Sequence, residues 1–476
     1  MELSASLILA ALIIALLWLL SRRNRKHVSL PRGPSVLPVI GNLLQLDRRA
    51  PFRTMLKLSE SHGPVMTLYL GPQRAVVLVG YDAVKEALVD QADDFTGRGP
   101  IPFIIKVTKL GLCNGERWRQ LRRFTLTTLR DFGMGRKGIE EWIQQESHHL
   151  VERIESTKGR PFDPTDFLSC TVSNVICCLV FGQRFSYDDD HFLSLLKIIA
   201  ATLTFSSSPY GQLYNIFPRL MDRLPGPQHD VLANIDKLKE FIMKKIQEHQ
   251  DMLDPSSHRD FIECFLTRLS EEKHMPTTEF HYENLVNTVL NLYLAGTETT
   301  SSTLRFALSV LIKYPKIQNM QQEIDNVIGQ ERCPHMEDRK SLPFTDAAFH
   351  DIQRLMDIVP MSIPHYALKD VSFRGYTIPK GTIIIPLLHS VLKGDKEWET
   401  PWSFNPQHFL DQNGNFKKNP AFIPFSAAKI CQQFTAVETI RALNLYGGKD
   451  SVDLSPEQSS FANMPRKYMI IATPRL

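Results

Sequence analysis

The chain has 476 residues, 43% of them apolar and 22% charged, with a net charge of +4 and a sequence pI near 8.5. That length supports a large buried core, and neither a low-complexity tract nor an internal repeat argues for a disordered or solenoid protein. The basic bias is too weak for a nucleic-acid binder; it suits an acidic partner protein or an anionic membrane face.

Residues 3–20 (LSASLILAALIIALLWLL) run 18 positions without a charge. As a helix they would span roughly 27 Å, close to the hydrocarbon thickness of a bilayer. Arg22, Arg23, Arg25 and Lys26 follow, with no Lys or Arg before the apolar run. The sequence therefore predicts a transmembrane anchor over 1–21 with the rest of the chain on the cytosolic side. The competing reading, a cleaved signal peptide, lacks a basic leading region and a small-x-small cleavage site. The stretch 22–45 then carries the basic stop and a hinge, LPRGPSVLPVIGN, stiffened by Pro31, Pro34 and Pro38. The body is 46–476.

Val65–Leu70 and Ala75–Val79 are β-branched runs on either side of Gly71-Pro72-Gln73-Arg74, the pattern of a hairpin. Apolar periodicity predicts helices over 115–130, 139–156, 231–250 and 282–314. A second strand-rich patch lies at 371–388, where Tyr376-Thr-Ile-Pro-Lys-Gly-Thr-Ile-Ile-Ile suggests another hairpin. Helices dominate, with small sheets at two places, so the expected class is mainly α with small β-sheets, plus the N-terminal transmembrane helix.

The longest predicted helix, Tyr282 to Tyr314, would be on the order of 50 Å long and contains Ala295-Gly296-Thr297-Glu298-Thr299-Thr300-Ser301-Ser302. Hydroxyls compete for backbone carbonyls and glycine adds backbone freedom, so a functional distortion is expected there; a helix with one polar face is the plainer alternative. The seven cysteines form no C-x-x-C pair and no Cys/His cluster at zinc spacing. They read as reduced thiols, several of them buried small hydrophobes.

AGTETT at 295–300 resembles the A-G-x-[D/E]-T-T signature in the central helix of the cytochromes P450. The anchor, the PRGPSVLPVIGN hinge, WRQLRR at 118–123, DIQR at 351–354, FNPQHF at 404–409 and PFSAAKIC at 424–431 follow that family's order along essentially the whole chain. LPRGP, AGTETTSSTLRFAL, HDIQR and FNPQHFL resemble the microsomal, xenobiotic-metabolising vertebrate subgroup.

The resemblance implies a cytochrome P450-like fold in which 46–476 is a haem-binding monooxygenase domain. Haem b (iron protoporphyrin IX) is the implied cofactor and Cys431 its iron ligand. Thr299 with Glu298 is the implied proton-delivery pair, and Gly296 the position that opens the helix to dioxygen. Trp118, Arg122, His365 and Lys429 are implied contacts to the haem propionates, while Asp351 and Arg354 form a structural pair. Implied partners are NADPH–cytochrome P450 reductase, cytochrome b5, membrane lipid and an apolar small molecule, with no nucleic acid; the implied location is the endoplasmic reticulum membrane. Arg119, Arg123, Arg130, Arg136 and Lys137 have the right sign to meet an acidic reductase surface, although a solvated helix face reads the same way. By the same analogy the pocket draws on 96–113, 200–220, 291–299 and 357–366. Phe205, Phe217 and Met361 there read equally as lining or as core.

Three departures from the family pattern stand out. Its E-x-x-R motif here begins with Asp351, one methylene shorter, which predicts a weakened core pair. Against F-x-x-G-x-R-x-C-x-G, Phe425 stands one residue too close to Cys431, Ala427 replaces a glycine, Lys429 replaces an arginine and Gln433 replaces a second glycine. The helix after Cys431 is less apolar than the family's and runs quickly into Gly447-Gly448. The leading expectation is a reductase-driven monooxygenase. The alternative is an impaired haem- or ligand-binding homologue.

Overall fold

The structure, a computed structural model, describes residues 29–108, 113–132, 137–254, 258–314, 317–424, 431–446, 453–456 and 461–475. Its longer helices are α1 (Pro51–His62), α2 (Gly115–Asp131), α3 (Lys137–Glu155), α4 (Thr165–Phe181), α5 (Asp190–Ser207), α6 (Pro227–Asp251), α7 (Phe261–Glu271), α8 (Tyr282–Lys313), α9 (Ile317–Val327), α10 (Pro343–Met356) and α11 (Cys431–Ala442). Helix dominates, as the periodicity predicts. The candidate anchor lies outside the described residues; within them no single helix is long and apolar enough to cross a membrane.

The first hairpin forms where expected. β1 (Val65–Leu70) pairs antiparallel with β2 (Gln73–Val79) across Gly71-Pro72. Val76, Val77 and Leu78 are all fully buried, so β2 reads as an apolar run rather than an alternation because both of its faces are covered.

The second patch differs from its predicted pairing. β3 (His365–Tyr366), β4 (Val371–Phe373), β5 (Tyr376–Ile378) and β6 (Ile383–Leu387) follow in sequence. β5 pairs with β4, while β6 leaves for the first sheet, parallel to β2 with Val77 opposite Ile385 and antiparallel to β3. The hairpin turn is therefore Arg374-Gly375, not Pro379-Lys380-Gly381. Both turn residues have positive φ (50° and 79°), the backbone a tight two-residue hairpin needs. Near the C-terminus β7 (Leu443–Tyr446) pairs with β8 (Ile471–Pro474), so the short helix after Cys431 hands over to a strand.

α4 is buried on nearly every side, and α8 packs against it and against α6, α10 and α11. Such a helix has no solvent face to satisfy, which explains why α4 is apolar all round. The six described cysteines are free. Burial pushes the Cys170 thiol up to about 12 and Cys178 and Cys264 to about 11, which makes them inert packing groups.

Candidate functional site

α8 runs unbroken from Tyr282 to Lys313, so the expected distortion at Gly296 is not there. The hydroxyls fold back on their own helix instead of opening it. Thr299 Oγ1 donates to the Ala295 carbonyl at 2.6 Å, and Thr303 Oγ1 to the Thr299 carbonyl at 2.8 Å. Gly296 has a packing reason: a Cβ there would stand 2.9 Å from Ile176 Cδ1 of α4. Asn291 and Ala295 are exposed and Thr299 half-exposed, at successive i+4 steps along one face.

Glu298, beside Thr299, points into the protein and is 4% exposed. Burial raises its carboxyl above the ordinary range; the charge of Arg305 and the Ser302 and Ser301 hydroxyls pull it back. A carboxyl tuned upward beside a half-exposed hydroxyl is the arrangement of a proton donor.

A second cluster draws on α2, Arg98 and β3. Trp118 and Arg122, one turn apart on α2, are exposed, with the Arg122 guanidinium 5.5 Å from the indole centroid. His365 on β3 bonds through Nδ1 to the Phe95 carbonyl, and its pKa falls to about 4 through burial and the charge of Arg98. Arg98 itself is lowered by burial and by Arg122. Among the described residues no carboxylate pairs with Arg98 or Arg122. Two mutually repelling guanidiniums beside an imidazole held neutral form a seat for a dianionic group.

Arg98 is the site residue that sequence reasoning missed, and Gly97-Arg98-Gly99 was the available signal. The Tyr366 N–H donates to the Gly97 carbonyl at 2.8 Å. A Cβ on Gly97 would sit 2.2 Å from the Tyr366 carbonyl oxygen, and one on Gly99 2.5 Å from the Tyr366 ring. The two glycines let this segment lie against β3, which sets Arg98 beside His365. Gly97→Ala is expected to cost about 1–3 kcal/mol, because backbone must shift to admit the methyl. A urea midpoint equal to that of the parent would contradict this account.

Asp351 and Arg354, one turn apart on α10, are both fully buried and paired at 2.6 Å. Arg354 also donates to the carbonyls of Leu392, Pro401 and Ser403, and its guanidinium lies 5.1 Å from the Trp398 centroid. The shorter Asp351 is met by the Asn405 N–H at 2.5 Å and His408 Nδ1 at 2.9 Å.

A cavity of about 1230 Å³ is lined by Phe103, Phe217, Met361, His365, Ile383 and Ile385, among others. It draws on parts of the expected 96–113, 200–220 and 357–366 stretches, but not on the expected 291–299 stretch, and it also takes in 36–48 and 69–74, which local pattern did not suggest. Phe217 and Met361 line it; Phe205 is core, its ring tilted against Phe103 with centroids 4.9 Å apart. Lys429, Ala427 and Phe425 lie outside the described residues, and Cys431 is placed only as the first residue of α11.

The family model described as Cytochrome P450 matches residues 31–431 and so ends at Cys431. Relatives include Cytochrome P450 2F3 of Capra hircus, 46% identical over 99% of this chain and 100% of its own length. Cytochrome P450 2G1 of Oryctolagus cuniculus is 47% identical over 97% and 96%. Cytochrome P450 2A13 of Homo sapiens is 45% identical over 98% of each chain.

Proposed function

The chain belongs to the cytochrome P450 family, in its family-2-like branch, and on that premise we propose that it is a haem-thiolate monooxygenase acting on an apolar small molecule. The reaction takes a C–H compound, O2, NADPH and a proton to the alcohol, water and NADP⁺. The electrons come through NADPH–cytochrome P450 reductase, with cytochrome b5 as a second donor. The protein works at the endoplasmic reticulum membrane on xenobiotic-like substrates, anchored by 1–21.

The observation that carries this reading is the pair of guanidiniums, Arg98 (held by the Ile363 and Pro364 carbonyls) and Arg122, that no carboxylate balances among the described residues, beside the neutral His365. It fits the two propionates of haem b, and Trp118 and Lys429 complete the set. Cys431 is the proposed iron ligand; thiolate-bound haem supplies O2 binding and O–O cleavage when present. This chain's own residues do the rest. Thr299 and Glu298 deliver protons from the buried face of α8 to its half-exposed face, and the cavity admits the substrate while its apolar walls limit water. The exposed Arg123 and Arg130 of α2 offer the reductase a basic surface.

The purified protein with reductase, NADPH and an apolar probe substrate should form hydroxylated product. Thr299→Ala should cut product formation on the order of 10²-fold, the scale of a lost proton relay, while NADPH oxidation persists. Equal product from the variant would remove Thr299 from the mechanism.

A second reading is a haem or ligand binder without turnover. It is favoured by the family match stopping at Cys431 and by Gln433 standing where the family has glycine. Bound haem with no NADPH-dependent product in either protein would select it.

A further inference from the structure

Glu298, Ser301, Ser302 and Arg305 occupy positions i, i+3, i+4 and i+7 of α8, a single helix face. Their exposures are 4%, 0%, 0% and 5%. A wholly polar face in the interior is costly, and the plain expectation for such a stripe is apolar packing. Ser302 Oγ donates to Glu298 Oε1 at 3.3 Å, which fixes the carboxylate as reaching toward the C-terminal turn. Arg305 carries the only cation on that face and, among the described residues, makes one side-chain hydrogen bond, Nη2 to the Pro465 carbonyl at 3.1 Å, while its buried Nε has no partner there.

We propose that Arg305 is the positioning residue for Glu298: its buried guanidinium, across the two serines, sets how readily the carboxyl gives up its proton. The segment 461–468 closes the seam. Met464 Sδ lies 3.9 Å from Ser302 Oγ, Pro465 accepts from Arg305, and the Tyr468 hydroxyl donates to the Arg305 carbonyl. Among the described residues Arg305 is the one charge acting on Glu298; Tyr468 faces Arg305 and, raised by burial, stays neutral. Burial drives the Glu298 carboxyl toward the protonated form, and Arg305, on the same buried face, opposes it. No counter-carboxylate competes for that guanidinium among the described residues, so its field is directed at Glu298. Arg305 thus acts two helical turns from the hydroxyl it serves, through Glu298 and not by contact.

The inference rests on the proposed function only for what the proton is used for, and its test does not need turnover. Infrared difference titration of the full-length protein reads the carboxylic-acid C=O band that Glu298→Gln removes. Arg305→Gln should move the midpoint of that band to higher pH by on the order of one unit, the scale of a lost neighbouring charge. Arg305→Lys should return it to the parent position, which a merely structural role would not predict. If the Gln variant does not fold, Arg305→Met fills the same volume without charge and should give the same displacement. A midpoint that stays in place in a folded neutral variant overturns the proposal. A displaced midpoint in a protein that makes no product supports the pair and counts against the monooxygenase reading instead.

Discussion

Arg354→Ala is expected to cost about 3–5 kcal/mol of folding stability, the scale of breaking a buried ion pair from one side. The size follows from what remains behind. Asp351 would keep its Asn405 and His408 contacts but lose its countercharge in a place with no solvent access. The carbonyls of Leu392, Pro401 and Ser403 would lose their donor together. Arg354 ties α10 to the 392–405 segment through these carbonyls, so the damage is expected to spread as lost soluble protein. Asp351→Asn keeps the shape and the hydrogen-bond acceptor, and should cost less than Arg354→Ala. Urea unfolding checks both, and a loss below about 1 kcal/mol for Arg354→Ala would show that the network is not a support of the core. Because the carboxylate already has three partners, the missing methylene relative to the family's Glu is taken up by the approach of Asn405 and His408. That compensation comes from a segment about fifty residues away and has no trace in the local sequence around 351.

Elements whose cause is local were legible, and those whose cause is distant were not. The periodicity of 231–250 and 282–314 reports a buried stripe on a single helix, and both helices formed within a few residues of their predicted ends. The hairpin at Gly71-Pro72 is likewise a local event. The partner of Ile383–Leu387, by contrast, is a strand some three hundred residues earlier, and nothing in the apolar run says which edge it will join. Arg374-Gly375 was passed over because arginine is an uncommon residue at positive φ, where glycine or asparagine is the usual signal. Gly296 was assigned to helix opening when its cause is the close approach of Ile176. At the candidate site Trp118 and Arg122 come from the resemblance of WRQLRR to the family, whereas Arg98 depends on two glycines pressed against Tyr366. Burial of Glu298 was equally invisible, since a carboxylate next to threonines reads as a solvent face until the seam with Arg305 is seen.

Cys431→Ser is expected to abolish the thiolate-type Soret band of the reduced, carbon monoxide-treated protein altogether. The cysteine stands at the first position of α11, and serine offers no anion comparable to a thiolate. Cys170 and Cys177 are sealed in α4 with thiols held protonated by burial, and Cys333 lies outside the Phe-to-Cys context of 424–431. Cys333→Ser should therefore leave the band intact, and persistence of the band in Cys431→Ser would falsify the ligand assignment. The same measurement weighs the altered loop. Lys429 keeps the charge of the family's arginine without its two-pronged donor, and Ala427 replaces a glycine that accommodates a tight backbone path. If those changes weaken the hold on haem, Lys429→Arg with Ala427→Gly should raise the haem retained per chain while Cys431→Ser stays at zero band. If the double variant retains no more haem than the parent, the seat at Arg98, Arg122 and His365 already sets the affinity, and the loop's departures act on the sulfur alone.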